Sequence, residues 1–359
     1  MQLKRLLVII LSIAMLGLAD NAEAQRNKYK KRRQTNKKVS HYKGGVRGYG
    51  RFEPYYFVGA NINAGNYFGD LAPVNKAAST DVSFTRPGFG LYGGYKFHHS
   101  IAVTAGLNWV RVFGDDFTSD PTGEKSFPRY ARNLSFRNDI KELRVAVQLF
   151  LLPNYGGPSQ RLPFNAYLSV GASVFHHEPQ GKVPEADYQS AQDGSVAAPQ
   201  AGEWVKLRPL GTEGQNLGII EPYKSIEFAI PVAIGAQIRI PNTQLTAGLE
   251  LGFRYLFTDY IDDVSGNYVS LDQFTDPLAR IMSDRSTVPF SSKGEARDLT
   301  NLRIINNSGV HNYFIEGNLG SGIDGSIRGN PDDNDMIFVT QIKVSYVLGG
   351  TTRKRAKYR

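Results

Sequence analysis

The chain has 359 residues, no cysteine and a formal charge of +9 at pH 7. Without cysteine it has no disulfide framework, no thiolate metal site and no lipoprotein anchor on a processed cysteine. The positive charge belongs to the ends: Arg26 to Phe52 carries eleven basic and no acidic residues, Thr351 to Arg359 five and none, and the body from Glu53 to Gly350 has 24 basic against 31 acidic.

Residues 1–24 begin with Lys4 and Arg5, continue through an apolar run from Leu6 to Ala19 and close on Ala22-Glu23-Ala24. That is the charged start, apolar centre and small-residue cleavage site of a secretory signal peptide. The apolar run falls short of the ~20 residues a spanning helix needs. The mature chain is expected to begin near Gln25.

Residues 25–53 form a basic arm that opens with "QRNKYKKRRQTNKKVSHYKGG" and is too polar to bury a core of its own. Lys30, Lys31, Arg32, Arg33, Lys37 and Lys38 are its densest part and the candidate partner-binding residues. An acidic periplasmic protein would gain on-rate and salt-sensitive affinity from such an arm. Anionic lipid or cell-wall polyanion is a second candidate, and a solvated leader that binds nothing specific a third. Export removes nucleic acid as a partner.

From residue 54 to 350 the apolar pattern alternates with period two, the mark of strands with two different faces. Eight such segments occur in order: Tyr56 to Gly65, Phe89 to Phe97, Ile101 to Trp109, Leu143 to Leu151, Phe164 to Val174, Ile226 to Ile240, Leu245 to Tyr255 and Phe338 to Leu348. Their length of roughly 9 to 14 residues fits a tilted bilayer crossing, which needs ~9–11. Tyr and Phe together number 39 and glycine 37, a composition suited to a sandwich or a membrane barrel.

The connections decide between the two. They run about 23, 3, 33, 12, 51, 4 and 82 residues, long and short in turn, as outer-membrane barrels place long outer loops opposite short inner turns. The expected fold is all-β: an eight-stranded antiparallel up-and-down transmembrane barrel with long extracellular loops. An even strand number puts both termini, including the basic tail 351–359, on the periplasmic side.

One face of these strands carries glycine, small and polar residues with Lys96, Glu142, Arg144, Glu227, Arg239, Glu250, Arg254 and Lys343. An eight-stranded barrel is just wide enough for side chains to fill. These charges are therefore expected to pair inside the lumen, since an unpaired buried charge is costly. Such a plugged interior argues against a diffusion pore, and the apolar face would meet outer-membrane lipid.

Several strings go beyond architecture: "FRNDIKEL" (136–143), "YLSVGASVFHHEP" (167–179), "LELGFRYLFTDYIDDVSGNYV" (249–269), "DPLARIMSDRS" (276–286) and "RGNPDDNDMIFVTQIKVSYVLG" (328–349). Together they resemble the family of outer-membrane β-barrels that includes PorG, a component of the type IX secretion system. The resemblance spans Tyr55 to Gly350 and is most specific over Thr258 to Ser265, Ser283-Asp284-Arg285 and Arg328-Gly329-Asn330-Pro331. It implies a non-enzymatic barrel that anchors a periplasmic ring of PorK- and PorN-like proteins, for secretion or gliding, with other outer-membrane barrels as further partners. The long seventh connection and the basic arm depart from a minimal barrel. A small porin or transporter, or a surface-binding protein acting through its loops, is the alternative.

Four loop features stand apart from the strands. Asp259, Asp262 and Asp263 crowd carboxylates at a strand end; their spacing matches no EF-hand, so turn bonding or pairing with Arg285 or Arg328 is expected, and the same holds for Asp332, Asp333 and Asp335. His176-His177-Glu178 is a rim pair whose rings point to opposite faces, poorly placed to share a metal. A short helix from about Pro277, with Leu278, Ile281 and Met282 on one side, is expected to cap the barrel mouth. No cofactor motif is present.

Overall fold

The computed structural model describes residues 52–71, 86–119, 126–184, 200–286, 288, 290–297, 303–307, 310–314 and 324–349. The signal segment, the arm up to residue 51 and the tail 351–359 lie outside these residues. In chain order the strands are β1 (Tyr55–Phe68), β2 (Arg86–His98), β3 (Ile101–Asp115), β4 (Ser135–Phe150), β5 (Phe164–His176), β6 (Gln180–Lys182), β7 (Trp204–Lys206), β8 (Ile226–Arg239), β9 (Leu245–Leu256), β10 (Arg303–Asn307), β11 (Val310–Phe314) and β12 (Met336–Val347). Two α-helices are found among the described residues, α1 (Phe127–Arg132) and α2 (Pro277–Ser283).

Eight of the strands close on themselves. The order runs β3-β2-β1-β12-β9-β8-β5-β4, and β3 pairs with β4 to complete the ring. All neighbours are antiparallel, and the first and last barrel strands meet in register from Phe57 opposite Val347 to Phe68 opposite Met336. Every backbone group in such a ring can be satisfied within the wall, which open sheets cannot achieve in lipid. Pro231 of β8 has no N–H to give; the β5–β8 pairing lapses opposite it, between Val170–Val232 and Ser173–Ala229.

The connections sort by length as the sequence implies. Residues 69–85, 116–134, 177–225 and 257–335 join strands at one mouth, here the upper; 99–100, 151–163 and 240–244 join them at the lower. β1 begins and β12 ends at the lower mouth. Two hairpin walls are taller than the alternation suggests: β3 continues past Trp109 to Asp115, and β4 begins at Ser135, so "FRNDIKEL" lies within the strand. The four short strands belong to the upper connections. β6 adds to the edge of β4 and carries β7, while β10 and β11 form a separate hairpin.

Outward positions form an apolar belt. Tyr56, Val58, Ile62, Phe89, Leu91, Leu107, Val145, Phe228, Ile234 and Ile342 are all exposed, far more contiguous apolar surface than a protein in water presents. Aromatic pairs mark its two edges: Tyr56 stacks on Tyr95 below, and Phe89 meets Trp109 and Phe253 meets Phe338 above. Beyond Trp109 the outward face turns charged, with Arg111 bridged to Asp139 at 2.5 Å and Lys141 exposed. The belt is the surface that a bilayer's hydrocarbon covers, and the chain is a membrane-spanning β-barrel.

Candidate functional site: the filled lumen and its upper cap

Midway through the barrel, period-two alternation aims charged side chains inward from three separate walls. Arg144 on β4 donates to Glu250 on β9 (Nη1 to Oε1, 2.8 Å), and Lys343 on β12 donates to the other carboxylate oxygen at 2.8 Å. Tyr167 adds a third bond to Glu250 at 2.7 Å. Arg254 donates to Glu142 at 3.0 Å, and Asn108 fills the remaining Glu142 oxygen at 3.0 Å. Glu250 is 1% exposed, so these contacts replace its water completely. Charge-assisted bonds of this kind are the strong ones, and they need to be, because each buried ion carries a desolvation penalty of several kcal/mol.

The other inward charges expected in this lattice are not joined to it. Glu227 has inward parity but sits at the upper end of β8, opposite Phe175, where it is half-buried and makes no ion pair among the described residues. Arg239 lies at the lower end of the same strand and donates to the carbonyl of Arg161 at 3.2 Å. Lys96 is also at the lower end, with its ammonium 4.0 Å from the centre of the Phe150 ring. Alternation assigns a face and leaves height along the barrel open, and these three are separated from the acids by height.

Above the ionic layer the lumen turns apolar. Val110, Val112, Phe136, Ile140, Phe175 and Val339 are buried together with Ile261 and Val264 from the last upper connection. Alternation alone assigns mainly polar and small residues to the interior, because the pattern stops β3 at Trp109 and so misses the inward Val110 and Val112. A glycine-rich face lower down and an apolar one higher up fill the same tube with different materials.

Over this layer the upper connections form a buried polar cap. Arg328 is the hub: it donates to Glu213 at 2.8 Å and to the Asp263 carbonyl at 2.5 Å, and its other nitrogen lies 3.9 Å from the Asp263 carboxylate. Thr212 and Tyr223 also donate to Asp263. Arg132, at the end of α1, grips Asp116 with two bonds of 2.7 and 2.9 Å and reaches the carbonyls of Asp70 and Arg328. Asn133 and Asp263 hold left-handed backbone (φ 58° and 68°), a conformation asparagine and aspartate tolerate better than most residues. Arg285 donates to Ser135 at 3.0 Å on the β4 wall, so Arg328 is the arginine that meets this acidic run. Glu213, Arg132, Asp116 and Tyr67 had no sequence signal, since each acts through partners far away in the chain.

Asp262 and Asp335 converge on one hydroxyl. Tyr67 Oη lies 2.7 Å from Asp262 and 2.5 Å from Asp335, and a single phenolic proton serves only one of them at a time. Burial raises both carboxyls well above the ordinary range, and repulsion from Asp70 adds to it at Asp262, repulsion from Asp262 at Asp335. Burial pushes Asp259 up to about 8 and Asp263 up to about 6, the latter against the opposing pull of Arg328. No group of three or more acidic or histidine side chains suited to a metal ion occurs among the described residues. Asp332 and Asp333 are exposed, whereas Asp335 is buried.

His177 is buried, with Nε2 2.9 Å from the carbonyl of Lys224 and its ring stacked on Tyr223. Burial brings its pKa down to about 4, so it is neutral. His176 stays half-exposed on the strand end. α2 starts at Pro277 behind an Asp276 cap and buries Ile281 and Met282 against Val183, Val205, Leu207 and Val288, with Leu278 alongside. It is part of the packing of the cap.

No family model matches the chain, and no curated protein matches it. Solved structures match it at low similarity. Ail, the attachment invasion locus protein of Yersinia pestis, solved with the heparin analogue sucrose octasulfate, is similar at 7% identity and a TM-score of 0.30, over 82% of this chain and 97% of that one. Neisserial surface protein A gives 8% and 0.32 over 82% and 98%. The N-terminal β-barrel domain of Pseudomonas aeruginosa OprF gives 6% and 0.28 over 82% and 100%.

Proposed function

We propose that the chain is an outer-membrane barrel that acts as a closed scaffold, a membrane base for a protein-secretion or gliding assembly, and catalyses nothing itself. The observation that carries this is the lattice of Glu142, Arg144, Glu250, Arg254 and Lys343 across the lumen. A tube filled by paired charges below and by packed Val112, Phe136 and Ile140 above has no path for solute, which counts against the small porin or transporter. What it offers is surface: an elaborate cap on the outside, and short turns with both chain ends toward the periplasm.

The secretion-system reading rests on the sequence strings that resemble the PorG-containing family. One structural fact supports treating them as a set: "TDYIDDVSG", "SDRS" and "RGNP" come together around Arg328, through Asp263, Ser283 and Glu213. In this proposal the basic arm, Lys30 to Lys38 above all, contacts an acidic PorK- or PorN-like ring from the periplasm.

Two experiments test it. Purified barrel in planar bilayers is expected to give no steady conductance, and a reproducible single-channel current would defeat the closed scaffold. Crosslinking and purification from native membranes, beside a version lacking Arg26 to Arg51, is expected to recover ring proteins only with the intact arm. Recovery with both versions would move the contact to the barrel turns; recovery with neither would remove the secretion-machine reading.

A further inference from the structure

The lower mouth holds a cavity of about 50 Å³ whose charged lining is entirely cationic: Lys96, Arg161, Arg239 and Lys343, with no aspartate or glutamate among the lining residues. Lys343 already shares Glu250 with Arg144. Lys96 is 2% exposed, rests on Phe150, and pairs with no carboxylate among the described residues. Arg161 spends its two terminal nitrogens on the carbonyls of Gln244 (2.9 Å) and Thr243 (3.1 Å), and its Nε is buried without a partner. Arg239 likewise meets only a carbonyl, with its own Nε buried and unmatched.

Carbonyl oxygens satisfy hydrogen-bonding geometry and leave net charge in place. Two buried positive groups, Lys96 and Arg161, and the half-buried Arg239 therefore face one small space with no carboxylate in its lining, an arrangement that buried charges reach only at a cost. An anion in that space removes the cost. The space is ample for one compact oxyanion, since about 10–15 Å³ of such volume already holds a water. The excess charge exceeds what a single carboxylate would balance and suits a phosphate, which arginine and lysine bind together with charge-assisted bonds.

We propose that the lower mouth of the barrel binds a phosphate group, held by Lys96, Arg161 and Arg239. The phosphate can arrive free or as the headgroup of an anionic phospholipid at the membrane surface.

The test uses the full chain, folded in phosphate-free detergent and checked by heat-dependent gel migration. Titration calorimetry with inorganic phosphate is expected to give one site, with a rise in unfolding temperature, as binding to the folded state alone requires. Lys96→Met or Arg161→Gln is expected to weaken it by about tenfold or more, a loss of ~1.4 kcal/mol, while Lys206→Gln on the upper rim leaves it unchanged. Two variants are used so that one misfolding does not end the test; weakening in either folded variant supports the site. Absence of binding at millimolar phosphate, equal affinity in both pocket variants and wild type, or acetate binding as tightly as phosphate would overturn it. Repeating the titration in nanodiscs with and without phosphatidylglycerol separates the sources: loss of the phosphate signal with that lipid assigns the headgroup, and its persistence assigns the free ion.

Discussion

Arg328 donates to Glu213 across 2.8 Å with both side chains buried, and that contact ties the connection after β9 to the connection after β5. It joins the described parts of the two longest upper loops. Replacing Arg328 with methionine keeps the bulk and leaves Glu213 and Asp263 buried without their cation. Loss of one partner from a buried pair costs about 3–5 kcal/mol. The expected result is a cap that opens to limited proteolysis while the barrel keeps its heat-dependent gel migration; a cap as resistant as wild type would remove Arg328 from its central role.

The acids of the cap give it a pH dependence of defined sign. Asp259, Asp262, Asp263 and Asp335 all hold their protons to higher pH when folded than the ~3.9 of a free aspartate. The folded cap therefore binds more protons than the unfolded one above that value, and its stability falls as pH rises. The fall is expected to pass through about 6 for Asp263 and about 8 for Asp259. Hydrogen exchange in residues 257–286, corrected for intrinsic rates, should quicken from pH 5 to about 8, and Asp262→Asn should flatten the change.

Glu250 accepts from three donors on three strands. Glu250→Gln removes the charge that holds Arg144 and Lys343, and a loss of about 3–5 kcal/mol in urea unfolding of the barrel is expected. The double variant Arg144→Met with Glu250→Met should lose less than the single one, because it leaves fewer orphaned charges in the lumen. Equal damage from both would mean that packing, and not charge balance, sets the cost.

Gly235 shows how close the lumen wall comes to its filling. A Cβ at this position would run into the Tyr167 ring, whose hydroxyl serves Glu250. Gly235→Leu is expected to displace Tyr167 and cost about 1–3 kcal/mol by overpacking, read as a lower unfolding temperature. Gly218, which has open space around it but left-handed backbone (φ 73°), should show only the smaller backbone penalty on change to alanine.

Much of the barrel can be read from the chain because each strand has a wet or filled face and a lipid face, and residues such as Ile226, Phe228 and Ile234 mark the second without ambiguity. The pairing of Glu142 with Arg254 and of Glu250 with Arg144 and Lys343 emerges once the ring is closed, though no local signal names the partners. Parity is blind to height, which is why it sets Glu227 and Arg239 beside charges they do not meet. The cap is a different case: Arg132, Asp116 and Glu213 come from loops with no repeating pattern, and what brings them together is burial across separations that local sequence does not encode.

The lumen lattice also says something about how the protein is made. Arg144, Glu250 and Lys343 stand on β4, β9 and β12, and the last of these is also the strand that zips to β1. Until it arrives, the tube is an open sheet and its inner charges are wet, so they attract each other weakly. Closing the seam dries them in the same act that brings the final counter-charge. Partial barrels therefore gain little from their ionic interior, and the lattice rewards only the closed ring.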